Sequence, residues 1–77
     1  MGTVSTSDLD WIGFGVYISE RRRQLGLTQS DLATALGQKQ PDVSNYEKGA
    51  RQPTIETLFR LADALKVNAD TLLRKLA

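Results

Sequence analysis

Residues 28–48 read TQSDLATALGQKQPDVSNYEK and hold two short helical patterns with a single glycine between them. Thr28 and Asp31 have capping-box spacing at the start of the first pattern, and the glycine suits its left-handed end. The proline falls in the first turn of the second pattern, where the N–H that proline lacks has no helical partner anyway. We therefore predict helices over residues 29–36 and 40–48, joined by a turn of about three residues in helix-turn-helix geometry.

The predicted helix 40–48 has two contrasting faces. Val43, Tyr46 and Glu47 share one face, at the i, i+3, i+4 spacing of a helix that packs on a core. The opposite face carries short or amide-bearing side chains rather than the glutamate and lysine of an ordinary exposed helix: Gln40, Pro41, Ser44, Asn45 and Lys48. An amide both donates and accepts, as the major-groove edge of adenine requires. This face predicts base reading in DNA, with plain solubility as the alternative.

Three further helices are predicted outside this pair. The first begins at Ser7 or Asp10 and carries an apolar stripe at helical spacing: Trp11, Phe14, Ile18 and Leu25. The other two begin at residues that favour helix caps: Thr54 and Asn68. No segment alternates with period two, so no strand is predicted. We expect an all-α fold, a compact five-helix domain over residues 8–77, preceded by a flexible N-terminal segment at residues 1–7.

Composition narrows the range of functions. The chain has 77 residues, no cysteine and no histidine. Common zinc sites and catalytic triads with a histidine base are therefore excluded, and we expect neither an enzyme nor a metal or other cofactor. No apolar run approaches the ~20 residues that span a bilayer, and no basic-then-apolar leader stands at the N-terminus. These features predict a small cytoplasmic domain with no membrane association and no implied small-molecule ligand.

Charge is unevenly distributed along the chain. The formal net charge is only +1 at pH 7. Residues 21–53, however, carry six Lys or Arg and three Asp or Glu, a sum of +3. A basic segment that coincides with the two central helices favours a polyanionic partner, with chance scatter of charge as the alternative. The low net charge of the whole chain predicts weak binding to DNA of arbitrary sequence.

One set of residues keeps, without gaps from Ile18 to Leu73, the spacing of a known family. These residues are Gly26-Leu27-Thr28-Gln29, Leu32-Ala33, Leu36-Gly37, Val43-Ser44, Glu47-Lys48-Gly49, Arg51, Pro53, Leu58, Leu61-Ala62, Leu65 and Leu72-Leu73. With them the chain resembles the phage-repressor and Cro-type helix-turn-helix family, the XRE family. The resemblance implies a lambda-repressor-like domain of five helices that binds operator DNA, usually as a symmetric dimer.

The resemblance also implies roles for individual residues. The helix 40–48 would be the recognition helix, with base-reading positions at Gln40, Pro41, Ser44 and Asn45. Phosphate-binding positions would be Gln29, Lys39, Lys48 and Arg51, and free amides at a helix N-terminus already attract anions. Arg22 and Glu47 match a pair that bridges the first and third helices. We interpret this pair as a structural ion pair rather than a DNA contact.

Two positions depart from the family's pattern. Lys39 stands where a serine or threonine usually caps the recognition helix, which exchanges a side-chain cap for a charge directed at phosphate. Asp42 adds an anion near the expected DNA surface. Its carboxylate could cap backbone amides and repel phosphate, or it could accept a hydrogen bond from the amine of cytosine.

Two classes of function remain open from the sequence. The first is a sequence-specific transcription regulator, a repressor, that binds a short inverted repeat of double-stranded DNA as a homodimer. Its interface is expected around Val67, Leu72 and Leu76. The second is a protein-interaction module of the antitoxin, co-activator or anti-repressor type. The apolar start of the first helix fits core packing against the fifth helix, or a contact with another subunit: Trp11, Ile12, Val16 and Tyr17.

Overall fold

Helices make up the regular structure of the part of the chain that the computed structural model describes, residues 8–77. They are α1 (Trp11–Gln24), α2 (Gln29–Leu36), α3 (Gln40–Glu47), α4 (Ile55–Ala64) and α5 (Ala69–Arg74). The predicted all-α fold of five helices is confirmed, and α3 ends one residue earlier than predicted, with Lys48 as its C-cap. The predicted N-terminal segment 1–7 and the alternative helix start at Ser7 lie outside the described residues.

Short-range hydrogen bonds place the starts of the helices. At α1, the Asp10 carboxylate accepts the N–H of Gly13 at 2.8 Å. At α2, the Thr28 hydroxyl accepts the N–H of Asp31 at 3.0 Å, and the Asp31 carboxylate accepts the N–H of Thr28 at 2.9 Å. This is the predicted capping box, which satisfies two backbone donors at once. Asn68 precedes α5 as predicted, but within the described chain its side chain makes no capping hydrogen bond.

The core lies where the apolar faces of the five helices meet. α3 packs against α1 and α2, α4 packs against α2, and α5 packs against α4. The buried apolar residues come from every helix and from the segments that follow α4 and α5: Phe14, Ile18, Leu32, Ala33, Leu36, Val43, Tyr46, Leu61, Ala62, Leu65, Leu72 and Leu76. With α1 and α2 on its inner side, α3 is left with its other side facing solvent.

The crossing of α1 over α3 depends on Gly15. A Cβ atom at this position would lie 2.6 Å from the carbonyl oxygen of Tyr46 and would also meet the carbonyl of Glu47. Such distances to backbone atoms leave no room for any side chain, so the two helices could not approach as closely with another residue here. A glycine costs helix stability locally, and the close packing of α1 on the end of α3 explains its presence.

The turn between α2 and α3 is anchored by both backbone and side-chain hydrogen bonds. Gly37 adopts the left-handed conformation, with φ of 69°, which glycine tolerates without strain. In the turn, Gln38 accepts the hydroxyl of the buried Tyr46 at 2.8 Å and donates to Thr57 of α4 at 3.2 Å. These bonds hold the turn to α3 and α4, so α2 and α3 keep a fixed relative orientation.

The structure corrects the predicted location of spare apolar surface. Leu72 and Leu76 are buried in the core of a single chain, because α5 folds back onto α4, so they offer no surface to a second subunit. Val67 is half-buried and packs against the same core. The apolar side chains that are exposed near α5 are instead Ile55, Phe59 and Leu73.

The apolar start of α1 divides between two environments. Trp11 and Tyr17 are half-buried and pack against the core, as the core-packing interpretation predicts. Ile12 and Val16 are exposed on the opposite side of α1. None of the helices in residues 8–77 combines the length and apolar character needed to cross a membrane.

Candidate nucleic-acid interface

α3 turns the four predicted base-reading side chains away from its packing contacts. Val43 and Tyr46 are buried, and their orientation brings the opposite face to the surface: Gln40, Pro41, Ser44 and Asn45. The two side chains in the first turn are exposed, and the two in the second turn are half-buried. The major groove of B-form DNA admits an α-helix whose N-terminal residues reach the base edges. The exposed first turn of α3 has the placement that such a contact requires.

Gln29 links the exposed Gln40 to the interior. The Gln40 amide nitrogen donates to the side-chain oxygen of Gln29 at 2.6 Å. The Gln29 amide nitrogen in turn donates to Oε1 of Glu47 at 2.9 Å. Gln40 is thus oriented by Gln29, which is itself held by Glu47. The amide oxygen of Gln40 takes no part in these two bonds. Such preorganisation lowers the entropy cost of placing the amide on a base.

The structure brings Arg22 and Glu47 together as a bidentate ion pair. Nε of Arg22 lies 2.6 Å from Oε2 of Glu47, and Nη2 lies 3.2 Å from Oε1. Arg22 also donates from Nη1 to the carbonyl of Leu27 at 2.8 Å. The two side chains are 9% and 7% exposed. The pair therefore joins α1, α3 and the segment before α2 in a dry environment, where charges must be partnered.

The environment of Glu47 keeps its carboxylate ionised. Burial acts to raise the pKa of Glu47, but the hydrogen bonds from Arg22 and Gln29 and the positive charge of Arg22 outweigh it. The net result is a pKa below the ordinary value of 4.5. Since a carboxylate only accepts hydrogen bonds, the ionised state also fixes Gln29 as the donor. The charge on Glu47 thus orients the amide that holds Gln40.

Asp42 serves both as a helix cap and as an ion-pair partner. Its Oδ2 accepts the backbone N–H of Lys39 at 3.2 Å, which is the N3-to-N-cap half of a capping box, while the Lys39 side chain makes no cap hydrogen bond of its own. Its Oδ1 accepts from Nη1 of Arg51 at 2.6 Å. Of the two roles open from the sequence, this geometry favours capping, because each carboxylate oxygen is already engaged within the protein.

The predicted phosphate-binding residues border α3 at both ends. Lys39 precedes α3 and Lys48 follows it, and both are exposed. Gln29 is the first residue of α2, where backbone N–H groups lack helical partners. Arg51 is also exposed, with its guanidinium 5.6 Å from the centre of the Tyr46 ring. In residues 8–77, no three His, Cys, Asp or Glu side chains are grouped so that they could hold a metal ion.

Two contacts at this surface were missed from the sequence. The Asp42–Arg51 ion pair spans nine residues across the end of α3, a separation with no helical or strand periodicity. The bond between Gln29 and Gln40 spans eleven residues across the turn. The Gln29–Gln40 bond depends on how α2 and α3 pack, whereas the Asp42–Arg51 pair depends on the path of the loop that follows α3. The available signal in the sequence was the complementary chemistry of the side chains in each pair.

Comparison with known proteins agrees with this geometry. A family model described as helix-turn-helix matches residues 18–72. The uncharacterized HTH-type transcriptional regulator y4dJ of Sinorhizobium fredii is 41% identical over 54 residues, which cover 70% of this chain and 70% of that protein. The chain spans about half the length of other curated relatives that it matches.

Solved structures show the same arrangement of helices. The restriction-modification controller protein C.AhdI from Aeromonas hydrophila superposes with a TM-score of 0.78 at 32% identity, over 82% of this chain and 96% of that one. The P22 c2 repressor, solved in complex with a synthetic operator, has a TM-score of 0.76 at 31% identity, over 80% of this chain and 94% of that one. As its motifs predicted, this chain belongs to the helix-turn-helix family of phage-repressor and Cro type.

Proposed function

We propose that this domain is a sequence-specific double-stranded DNA-binding transcription regulator, with α3 as its recognition helix. The observation that carries the proposal is the outer face of α3, where the exposed Gln40 is held by Gln29 and Asn45 lies one turn further along. One structural relative, the P22 c2 repressor, was solved in complex with a synthetic operator, and this similarity supports DNA binding and a role as a repressor. Repression by occlusion of polymerase needs binding alone, with no chemistry.

The side chains divide into two groups by chemistry. Gln40 and Asn45 carry amides that can pair with base edges, and Pro41 and Ser44 offer small contacts beside them. Lys39, Lys48 and Arg51 carry positive charge that attracts phosphates at any sequence, and Gln29 adds the N-terminus of α2. Base contacts supply specificity, whereas phosphate contacts fix position and supply salt-dependent affinity.

Selection of binding sites from a pool of random duplexes tests this proposal. The selected site then serves to compare variants. Replacement of Gln40 or Asn45 by alanine should cost about 1–3 kcal/mol of binding free energy, confined to particular base pairs. Replacement of Lys48 by glutamine should weaken binding to every sequence and flatten the salt slope by about 0.9.

Two outcomes would contradict the proposal. Equal losses for all three variants on every sequence would show that α3 does not read bases. Failure of the wild-type chain to retain any duplex at low salt would favour the protein-interaction alternative instead.

We further propose that the regulator binds an inverted repeat as a homodimer through a groove between α4 and α5. The groove has a volume of about 150 Å³ and an apolar lining: Ile55, Leu58, Phe59, Ala69 and Leu73. Phe59 lines this groove and is 61% exposed. We propose a two-fold axis beside it, so that Phe59 of each copy enters the groove of the other. Apolar side chains that are exposed next to one another, as Ile55, Phe59 and Leu73 are, support an interaction site here. Two recognition helices in such a dimer would have to lie about 34 Å apart, one turn of DNA.

Sedimentation of a charged variant tests the dimer. Replacement of Phe59 by aspartate places a charge in the proposed interface and should shift the wild-type dimer to monomer. The matched control is Ile12→Asp on α1, which is 68% exposed and lies outside the groove. It should leave the dimer intact. A wild-type chain that stays monomeric even on an inverted repeat would contradict the interface, without affecting base reading by α3.

A further inference from the structure

Asp42 and Arg51 form an ion pair on the surface proposed to face DNA. The guanidinium and carboxylate meet at 2.6 Å, and the guanidinium also lies over the ring of Tyr46. The other carboxylate oxygen is tied to the backbone at the start of α3 through Lys39. The carboxylate is therefore fixed, and it holds a flexible arginine beside it.

A phosphate of DNA would have to compete with this carboxylate. Arginine binds carboxylate and phosphate through the same array of N–H donors. Asp42 accepts from Nη1 and holds the guanidinium in one position, so a phosphate has to compete for that nitrogen and for the position of the side chain. Asp42 also brings a negative charge to a surface where DNA brings many. The competition reduces the charge that Arg51 can give to the DNA backbone, whereas the repulsion acts without Arg51, and neither effect depends on the base sequence.

We propose that Asp42 competes with the DNA backbone for Arg51 and thereby lowers the affinity of this domain for DNA of any sequence. This inference rests on the proposed function, because it takes α3 as the helix that faces DNA. The formal net charge of the chain is only +1, so the neutralisation of one interface cation is a large change. The release of Arg51 would raise the number of ionic contacts with DNA by about one.

A purely structural role would leave DNA binding unchanged. The Arg51 and Asp42 side chains are 53% and 29% exposed, so the pair contributes little to folding. The chain offers a matched control on α5, where Arg74 and Asp70 form an ion pair at 2.9 Å. Replacement of Asp70 by asparagine changes the net charge equally and also releases an arginine, but away from α3.

The experiment compares Asp42→Asn, Arg51→Gln, the double variant and Asp70→Asn with the wild-type chain. The probe is a duplex of mixed sequence, titrated over a range of salt concentrations, and melting curves verify that each variant is folded. Asparagine at 42 keeps an oxygen for the N–H of Lys39. We expect Asp42→Asn to bind about three to ten times more tightly and to steepen the salt slope by about 0.9. In the Arg51→Gln background the same change should have no effect on the slope, and Asp70→Asn should match the wild type.

Each contrary result has a distinct meaning. Equal tightening by Asp42→Asn with and without Arg51 would overturn the competition, because Asp42 would then act by repulsion alone. Weaker binding by Asp42→Asn would also overturn it, because the carboxylate would then present Arg51 to phosphate. If the wild-type chain and Asp42→Asn both bind no duplex at low salt, the proposed function fails and this inference fails with it. Binding by the wild type without any effect of Asp42→Asn would refute only the inference.

Discussion

The chain contains two arginine–carboxylate pairs that share a helix and a distance but lie in opposite environments. In both, the carboxylate belongs to α3 and the shortest N–O distance is 2.6 Å. The Arg22–Glu47 side chains are 9% and 7% exposed, whereas those of Arg51 and Asp42 are 53% and 29% exposed. One pair lies on the inner side of α3, and the other lies at the surface proposed to bind DNA.

The two pairs differ in burial and not in distance, and burial decides what happens when a partner is lost. A buried charge that loses its partner cannot recover its hydration, so the remaining charge destabilises the fold. An exposed arginine that loses its carboxylate partner is solvated by water at once and can bind another anion. Bonds of the same length are thus expected to stabilise the fold on the inner side of α3, and on its outer side they form the contact that we propose DNA phosphate can displace.

The largest expected effect is the loss of the buried carboxylate. Replacement of Glu47 by alanine leaves the Arg22 guanidinium buried without its partner and removes the acceptor for Gln29, so the free energy of unfolding should fall by about 3–5 kcal/mol. Denaturant titration followed by circular dichroism measures this loss. Asp42→Asn is the matched control on the same helix and should cost less than about 1 kcal/mol. Equal costs for the two variants would contradict the contrast between the pairs.

A smaller effect is expected from acid, which protonates the same carboxylate. Because the folded-state pKa of Glu47 lies below its ordinary value of 4.5, the unfolded chain takes up the proton first as the pH falls. The stability that the ionised Glu47 adds to the folded state is therefore fully present above pH 4.5, and it is lost as the pH falls through the folded-state pKa. The gap in unfolding free energy between the wild type and Glu47→Gln should be constant from pH 7 to about pH 5 and should narrow below 4.5.

The difference in unfolding free energy between the wild type and Glu47→Gln separates the effect of Glu47 from that of the other carboxylates that titrate in acid. The pKa of Asp31 is also lowered, because its carboxylate accepts hydrogen bonds from Thr28 at the start of α2. Protonation of Asp31 therefore also destabilises the fold in acid. This contribution is common to the wild type and Glu47→Gln, so it cancels in the difference. A gap that stays the same at every pH would mean that the Arg22–Glu47 pair does not depend on the ionised carboxylate.

The smallest of these effects should come from Gln29, which connects the buried pair to the surface. Replacement by alanine breaks its bonds to Glu47 and Gln40 but leaves the ion pair in place, so we expect a loss of about 1 kcal/mol in the free energy of unfolding. Binding to the selected site should weaken more than binding to a mixed-sequence duplex, because Gln40 loses its orientation. Equal weakening on both duplexes would assign Gln29 to phosphate contact alone.

Much of the fold could be predicted because its signals are local. The capping box of Thr28 and Asp31, the glycine after α2 and the proline at the start of α3 involve neighbouring residues, and all three predictions are confirmed. The spacing of Val43 and Tyr46 likewise predicted the buried side of α3. The Arg22–Glu47 pair, 25 residues apart, was expected only from the family resemblance.

Two of the three residues predicted for the subunit interface, Leu72 and Leu76, are buried within a single chain, and the reason is physical. Apolar periodicity indicates that Leu72, Leu73 and Leu76 lie on helical turns, but it does not indicate which of them a neighbouring helix covers. Once α5 packs on α4, Leu72 and Leu76 are buried and Leu73 is exposed beside Phe59.

Helix boundaries and the amide-bearing face of α3 thus follow from the order of residues, because helical hydrogen bonds and side-chain periodicity involve positions only a few residues apart. The partner of Asp42, the anchoring of Gln40 and the choice of exposed leucine follow from the packing of separate helices. Those features depend on contacts between distant segments, and burial, which sets the strength of each charge and each apolar contact, exists only after those segments have come together.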